Sequence, residues 1–179
     1  AGIETHALDH RKYESRELFD VAMMRIIDKV QPDLIVLAGF MRILTADFVR
    51  RYQGKLLNIH PSLLPKYPGL NTHQRAIDSQ DKTHGVTTHF VTAELDSGPN
   101  IIQAIVPTLP QDTIETLAKR VQKQEHLIYP IAVKWFIDGR LKMVKDTSTK
   151  GPTASCFASL DDQTLPSTGL TLPPETTLH

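Results

Sequence analysis

The sequence predicts an α/β protein whose open, mostly parallel sheet has an antiparallel edge. Between residues 14 and 145, short apolar runs that suit strands alternate with stretches in which apolar residues recur at helical spacing. Two strand-like runs, residues 86–92 and 100–106, are separated by Asp96-Ser97-Gly98-Pro99, a turn sequence that favours antiparallel neighbours. We therefore expect helices to pack on a sheet of which one edge is antiparallel.

The first elements follow from apolar spacing and from a proline. Residues 14–30 predict a helix, because apolar residues recur along them at helical intervals. We expect these apolar residues to face the core: Leu18, Val21, Ala22, Ile26 and Val30. Pro32 ends this helix, and the apolar run of residues 33–38 predicts a strand that is buried on both faces.

The next elements are a short helix, a strand, a loop and a second short helix. Thr45 suits the N-cap of a helix that runs to about Tyr52, since its hydroxyl can accept a hydrogen bond from the first turn. Residues 55–60 predict the next strand. Prolines interrupt residues 61–71, which predict a loop, and residues 72–79 predict a further helix.

The last part of the domain predicts a long helix followed by a short strand. Asp112 and Glu115 have the spacing of a capping box, with an acidic N-cap and a glutamate three residues later. Behind them we expect a helix that Pro130 kinks or restarts. Its inward residues include Leu117, Val121 and Tyr129. Gly139 ends this helix, and residues 141–144 predict the last strand.

Length and composition indicate one globular domain and exclude several function classes. The 179 residues carry 20 basic and 20 acidic side chains. This zero formal charge lacks the excess of positive charge that is typical of nucleic-acid-binding proteins. No apolar run reaches membrane-spanning length, so we expect no membrane association and a cytoplasmic location. Residues 1–145 form the predicted domain. Ser, Thr, Pro and Gly dominate residues 146–179, which predict a disordered tail that holds the lone Cys156.

Polar residues at two predicted strand ends indicate catalysis. Asn58 and His60 lie two positions apart at the end of one strand, so their side chains point to the same face, and Asp96 lies at another strand-to-turn junction. An asparagine amide can donate to a developing oxyanion, and a histidine moves protons near neutral pH. Taken alone, a strand-end histidine is more often structural, and Asp96 also suits a plain turn. Together the three predict acyl transfer without a nucleophilic serine or cysteine.

Five segments, in the same order along the chain, resemble the folate-dependent formyltransferases. The longest is residues 58–69, Asn-Ile-His-Pro-Ser-Leu-Leu-Pro-Lys-Tyr-Pro-Gly. The others are residues 38–44, His84-Gly85, Asp96-Ser97-Gly98-Pro99 and residues 122–126. The resemblance covers residues 1 to about 143 and is strongest to the branch that formylates glycinamide ribonucleotide in purine biosynthesis. It implies the Rossmann-like formyltransferase fold.

The resemblance also implies a reaction and assigns roles to residues. A formyl group passes from 10-formyltetrahydrofolate to the amine of glycinamide ribonucleotide, without a metal ion. Asn58 would bind the formyl oxygen, His60 would handle the proton, and Asp96 would orient His60. The residues implied in folate binding are Arg16, Met41, Arg42, Ile43, Leu44 and Asn58. Those implied in binding the ribonucleotide are Gln122 and Glu125.

Three other interpretations stay open. A formyltetrahydrofolate hydrolase would keep the same three residues and replace the amine by water, whereas a methionyl-tRNA formyltransferase would need a tRNA-binding surface. The third is an inactive, truncated chain that binds folate weakly or not at all. The pairs His84 with His89 and His6 with His10 lack the further ligands of a metal site. We expect only small-molecule partners, and a monomer or a weak homodimer.

The start of the chain bears on substrate binding. In the resembled family a β-α-β unit with a glycine-rich turn comes first, and its backbone amides hold the substrate phosphate. This sequence opens on Ala1-Gly2-Ile3 and contains no glycine-rich turn of that kind. We therefore expect the first β-α-β unit to be missing from these residues. We also expect the 179 residues alone to be poorly stable and to formylate the ribonucleotide inefficiently.

Overall fold

The computed structural model describes residues 2–146 and 155–173. Its helices are α1 (Arg16–Val30), α2 (Ala46–Arg51), α3 (Thr72–Asp78) and α4 (Ile114–Ile137), with a 3₁₀ turn at His10–Lys12. Its strands are β1 (Ile35–Leu37), β2 (Leu56–His60), β3 (Thr83–Phe90), β4 (Asn100–Pro107), β5 (Leu141–Lys145), β6 (Cys156–Leu160), β7 (Gln163–Thr164) and β8 (Leu170–Leu172). Within the described ranges, none of the helices combines the length and apolar character that crossing a membrane requires.

The strands form two sheets. The larger has the order β1-β2-β3-β4-β8 and the smaller the order β5-β6-β7. In the larger sheet β1 pairs with β2, and β4 with β8, in parallel, while β3 is antiparallel to both of its neighbours. The α/β class, the open sheet and the antiparallel β3–β4 pair are confirmed. The antiparallel pairs lie in the middle of the five strands because β8, from the end of the chain, covers the outer edge of β4.

The prediction of a disordered tail is wrong for residues 155–173. Strand β6 pairs with β5, and β8 joins the larger sheet beside β4. Ala158 on β6 is buried in the main core. Gly169 lets the chain approach β4 closely, because a Cβ there would lie 2.7 Å from the carbonyl of Ile101. Strand pairing and these close contacts thus fix a segment whose composition is that of a linker. Residues 147–154 and 174–179 of the predicted tail lie outside the described residues.

The core-facing side of α1 differs from the predicted one. Of the five residues expected in the core, three are exposed and two are half-buried: Leu18, Val21 and Val30, then Ala22 and Ile26. The buried residues are Phe19 and Asp20, while Met23 and Ile27 pack on the cluster that includes α2. Asp20 faces inward because its carboxylate accepts a hydrogen bond from the Thr45 N–H at 2.7 Å, a tie that apolar spacing does not reveal.

Strand β1 is less buried than predicted. Among the described residues it pairs with β2 alone, so it is the outer strand of the larger sheet. Ile35 and Leu37 pack on the cluster that includes α2. Val36, whose side chain points to the opposite face, is 43% exposed. The prediction of burial on both faces is therefore wrong, since a short apolar run does not distinguish one buried face from two.

The cap of α4 also differs from the prediction. Thr113 is the N-cap, and Thr113 and Thr116 form a capping box with each other's backbone N–H groups. The Asp112 carboxylate accepts hydrogen bonds from the Arg120 guanidinium at 2.7 and 2.8 Å. The predicted box of Asp112 with Glu115 is wrong because this aspartate is held by an arginine two turns into the helix.

The main core lies between α4 and the larger sheet. Helix α4 continues through Pro130 as one element, so the predicted restart does not occur. Its buried residues are Leu117, Val121, Ile128 and Ala132. Outside this stripe, the Tyr129 hydroxyl lies 2.8 and 2.9 Å from the carbonyl oxygens of Leu37 and Leu57. Burial raises the pKa of Tyr129, so the hydroxyl stays protonated and ties α4 to β1 and β2.

Two isoleucines of α4 test where the core lies. Ile128 is fully buried and Ile137 is 73% exposed. We expect Ile128→Ala to lower the free energy of unfolding by about 2–5 kcal/mol, because it leaves a cavity. The matched control Ile137→Ala changes this free energy by less than about 0.5 kcal/mol. Urea denaturation measures both variants, and equal effects would contradict the described packing of α4.

Candidate active site

The register of β2 and β3 brings an asparagine and a histidine together. Asn58 lies opposite His89, and the Asn58 amide donates to His89 Nε2 at 3.1 Å. His89 Nδ1 donates to the Phe90 carbonyl at 2.9 Å, which leaves Nε2 as the acceptor. Burial lowers the pKa of His89 to about 4, so its ring is neutral at pH 7. Sequence spacing alone does not identify His89, because it meets Asn58 only through the strand register.

His60, the last residue of β2, is buried beside a loop that turns back on the strand. Its Nε2 donates to the carbonyl of Tyr67 at 2.8 Å. Its Nδ1 lies 3.5 Å from Oδ2 of Asp96. Tyr67 has a φ of 54°, in the left-handed region, and this conformation helps the loop to fold back over the strand end. The structure thus brings the predicted pair of His60 and Asp96 into contact.

Asp96 lies between two imidazole rings. Its Oδ2 faces His60, its Oδ1 lies 3.8 Å from His89 Nε2, and its side chain is 8% exposed. Oδ2 also accepts a hydrogen bond from the Gly69 N–H at 2.8 Å. A φ of 50° at Asp96 turns the chain after β3 so that the carboxylate points back to the strand ends. His89 therefore lies between Asn58 and Asp96 and joins all the predicted catalytic residues into one cluster.

A cleft with a volume of about 80 Å³ opens beside this cluster. Residues 42–44 form one wall and residues 92–96 form another. Asn58, His89 and Asp96 reach the cleft, whereas His60 is not among its walls. The Arg42 guanidinium lies 5.1 Å from the centre of the Phe19 ring. The buried Nε of Arg42 has no hydrogen-bond partner within the described part of the chain, and such a donor suits a ligand with acceptor groups.

Two residues predicted to bind folate lie outside the walls of this cleft. Met41 is 78% exposed. Arg16 is exposed at the start of α1, where its guanidinium lies 3.6 Å from the carboxylate of Glu17. The structure therefore brings residues 42–44 to the cleft and leaves Met41 and Arg16 at the protein surface.

Asp20 supports the wall formed by residues 42–44. It is buried in α1, and its carboxylate accepts the Thr45 N–H. Thr45 in turn caps α2 as predicted, since its hydroxyl accepts from the Phe48 N–H at 3.3 Å. Because this pair fixes the chain directly after residue 44, Asp20 helps to place one wall of the cleft. Asp20 and Thr45 are separated by 25 positions in the sequence, so no local sequence pattern identifies this role of Asp20.

The predicted ribonucleotide contacts lie on α4. Glu125 is half-buried, and burial raises the pKa of its carboxyl, while the neighbouring His126 and His60 act in the opposite direction. Glu125 thus lies within electrostatic reach of His60. Gln122, one turn earlier, is exposed. Of the two predicted ribonucleotide contacts, Glu125 is therefore the partly buried one and Gln122 the exposed one.

A second pair of histidines lies beneath the loop that follows β2. His73 Nδ1 and His84 Nε2 are 3.1 Å apart. Burial lowers both pKa values, that of His84 to about 4. His60 lowers both pKa values further, and His73 also lowers that of His84. Both rings are therefore neutral at pH 7. Across residues 2–146 and 155–173, no three potential ligands cluster in a way that could hold a metal ion.

The comparison with known families agrees with this geometry. The family described as formyl transferase matches residues 1–133. The chain belongs to the formyl transferase family. Every member of the cluster lies within the matched range, including His89 and the predicted ribonucleotide contact Glu125.

Relatives in this family extend across bacteria and animals. The chain is 52% identical to the phosphoribosylglycinamide formyltransferase of Escherichia coli (strain K12) over 169 residues, which are 94% of this chain and 75% of that protein. It is 41% identical to the trifunctional purine biosynthetic protein adenosine-3 of Homo sapiens, over 80% of this chain and 14% of that one. A solved phosphoribosylglycinamide formyltransferase from Coxiella burnetii has a TM-score of 0.79 at 46% identity, covering 92% of this chain and 72% of its own.

The protonation state of His89 is open to direct measurement. Because burial lowers its pKa to about 4, we expect its ring to stay neutral, with the proton on Nδ1, from pH 7 down to pH 5.5. Long-range ¹H–¹⁵N spectra of the imidazole nitrogens report both the charge and the tautomer. The control is the same protein in urea, where histidines titrate near pH 6.5. A folded-state midpoint above pH 6 for His89 would contradict the described burial.

Proposed function

We propose that this chain transfers a formyl group from 10-formyltetrahydrofolate to the amine of glycinamide ribonucleotide, a step of purine biosynthesis. The observation that carries the proposal is the contact of Asp96 with His60 on one side and His89 on the other, beside a cleft that Asn58 also reaches. The family supports a folate-derived formyl donor. The bacterial relative's name, phosphoribosylglycinamide formyltransferase, supports the acceptor.

Asn58 stabilises the charge that develops on the formyl oxygen. When the amine attacks the formyl carbon, the carbonyl oxygen becomes an oxyanion, which a fixed N–H donor binds more tightly than the starting carbonyl. One N–H of the Asn58 amide already donates to His89. This bond fixes the amide plane and leaves the second N–H free to point into the cleft. His89 is therefore a positioning residue for the oxyanion donor.

Asp96 and His60 move the proton. The attacking amine loses one proton and the departing folate nitrogen gains one, so the site has to take up a proton and return it. Asp96 accepts the proton through a water at the edge of the cleft, and His60 Nδ1, 3.5 Å from Oδ2 of Asp96, is placed to share that proton. The carbon–nitrogen bond to folate breaks as the same proton reaches that nitrogen. No covalent enzyme intermediate is needed.

The two substrates reach the cluster from different sides. The pterin ring of the folate lies in the cleft against residues 42–44. Because the volume of the cleft is only about 80 Å³, the remainder of the molecule extends over the surface toward Met41 and Arg16. The ribose of the other substrate lies on α4, where the carboxyl group of Glu125 binds its diol and Gln122 adds a second contact. The amine then reaches the formyl carbon beside Asp96.

An Asp96→Asn variant tests the proton-transfer role. We expect kcat of formyl transfer to fall by about 10²- to 10⁴-fold, because an amide cannot accept the proton. The Michaelis constant for the folate should change little, since most of the cleft walls are untouched. The matched control is Asp162→Asn. Asp162 also has a left-handed φ, of 61°, but it is exposed and does not line the cleft. Steady-state assays of the unsubstituted protein and of both variants measure the effect.

Three outcomes would contradict the proposal. Release of formate from 10-formyltetrahydrofolate at an equal rate with and without the ribonucleotide would indicate a hydrolase. Transfer to methionyl-tRNA in preference to glycinamide ribonucleotide would indicate the tRNA-modifying branch. A kcat of Asp96→Asn within twofold of the natural value would remove Asp96 from the chemistry.

A further inference from the structure

A buried glutamine on β4 holds the base of the loop that follows β2. Gln103 is 5% exposed and lies opposite Thr87 of β3 in the antiparallel register. Its side-chain amide donates to the carbonyl of Leu64 at 2.8 Å and to the Thr87 hydroxyl at 2.9 Å. The Thr87 hydroxyl donates to the carbonyl of Ser62 at 2.6 Å and accepts the Leu64 N–H at 3.1 Å.

Every donor in this network has an acceptor. The two N–H groups of the Gln103 amide are both used, and the Thr87 hydroxyl makes one donated and two accepted bonds. The network is buried, so losing one member leaves polar groups without partners and without water. We therefore expect the backbone of residues 62–64 to have a single position while Gln103 is present.

The loop held in this way provides the partners of two site residues. Residues 62–64 directly follow His60-Pro61. Further along the same loop, the Tyr67 carbonyl accepts from His60 Nε2 and the Gly69 N–H donates to Asp96 Oδ2, each at 2.8 Å. A shift at the base of the loop therefore moves both of these contacts together.

We infer that Gln103 is a positioning residue for the reaction: through Thr87 and Leu64 it fixes the loop that orients His60 and Asp96. This inference rests on the proposed function, since it assigns Gln103 a part in formyl transfer. Gln103 is not among the walls of the cleft. None of residues 61–69 lines that cleft either, so folate binding should be nearly independent of the network.

The chemistry of the network defines informative variants. Gln103→Met keeps the length of the side chain and removes both donors. Thr87→Val keeps the shape of the threonine and removes its hydroxyl, whereas Thr87→Ser keeps the hydroxyl and serves as the conservative rescue. Gln163→Met is the matched control for the glutamine change, because Gln163 is an exposed residue on strand β7.

We expect Gln103→Met and Thr87→Val each to lower kcat by about tenfold or more relative to the unsubstituted protein, because small displacements of reacting groups slow the reaction. The Michaelis constant for 10-formyltetrahydrofolate should change by less than about twofold, since its cleft is untouched. Thr87→Ser and Gln163→Met should keep most of the natural kcat. An unchanged kcat in both Gln103→Met and Thr87→Val would overturn the inference, as would an equal loss in Thr87→Ser.

A readout without turnover separates this inference from the proposed function. The His60 Nε2 proton donates to Tyr67, so its exchange with solvent should be slow in the natural protein and about tenfold faster or more in Gln103→Met. If the natural protein does not transfer formyl groups, the proposed function fails, and this exchange rate alone decides whether Gln103 positions the loop. Equal exchange rates in the two proteins would overturn the inference. If Gln103→Met does not fold, the same comparison is made between Thr87→Val and Thr87→Ser.

Discussion

The register between β2 and β3 is the constraint on which the site depends. It places Asn58 opposite His89 and His60 opposite Thr87. The buried pair Leu57 and Phe90 fixes the register, since both side chains are fully removed from water. A slip of one residue would turn the His89 side chain to the opposite face and break its bond to Asn58. The geometry of the oxyanion donor therefore follows from the packing of apolar residues one position away.

Burial around this register sets the charge of the site. Because desolvation lowers the pKa of His89, the ring remains a neutral acceptor for Asn58 and does not become a cation beside Asp96. The loop after β2 completes the arrangement by returning two backbone groups to the strand ends. The carbonyl of Tyr67 binds His60 and the N–H of Gly69 binds Asp96. The loop thus links the two titratable groups to which we assign the proton transfer.

Features that depend on a few neighbouring residues could be predicted from the sequence. The cap at Thr45 and the turn that carries Asp96 are of this kind, as are the limits of β2, β4 and β5. Features that depend on distant partners could not. Asp20 faces inward because Thr45 binds it, and His89 joins the site through strand register. Residues 155–173 lack an apolar period but are fixed by pairing with strands far earlier in the chain. The resemblance of the motifs indicated roles for individual site residues, and only the structure showed which of these residues contact one another.

A double-mutant cycle on the pair Asn58 and His89 tests the central claim most directly. The quantity measured is kcat of formyl transfer in Asn58→Ala, in His89→Ala and in the variant with both changes. If His89 acts by holding the Asn58 amide, the double variant should be only about as slow as the slower single variant, because residues that act as a unit have non-additive effects. If the two losses multiply instead, the residues act independently, and the register does not assemble the oxyanion donor.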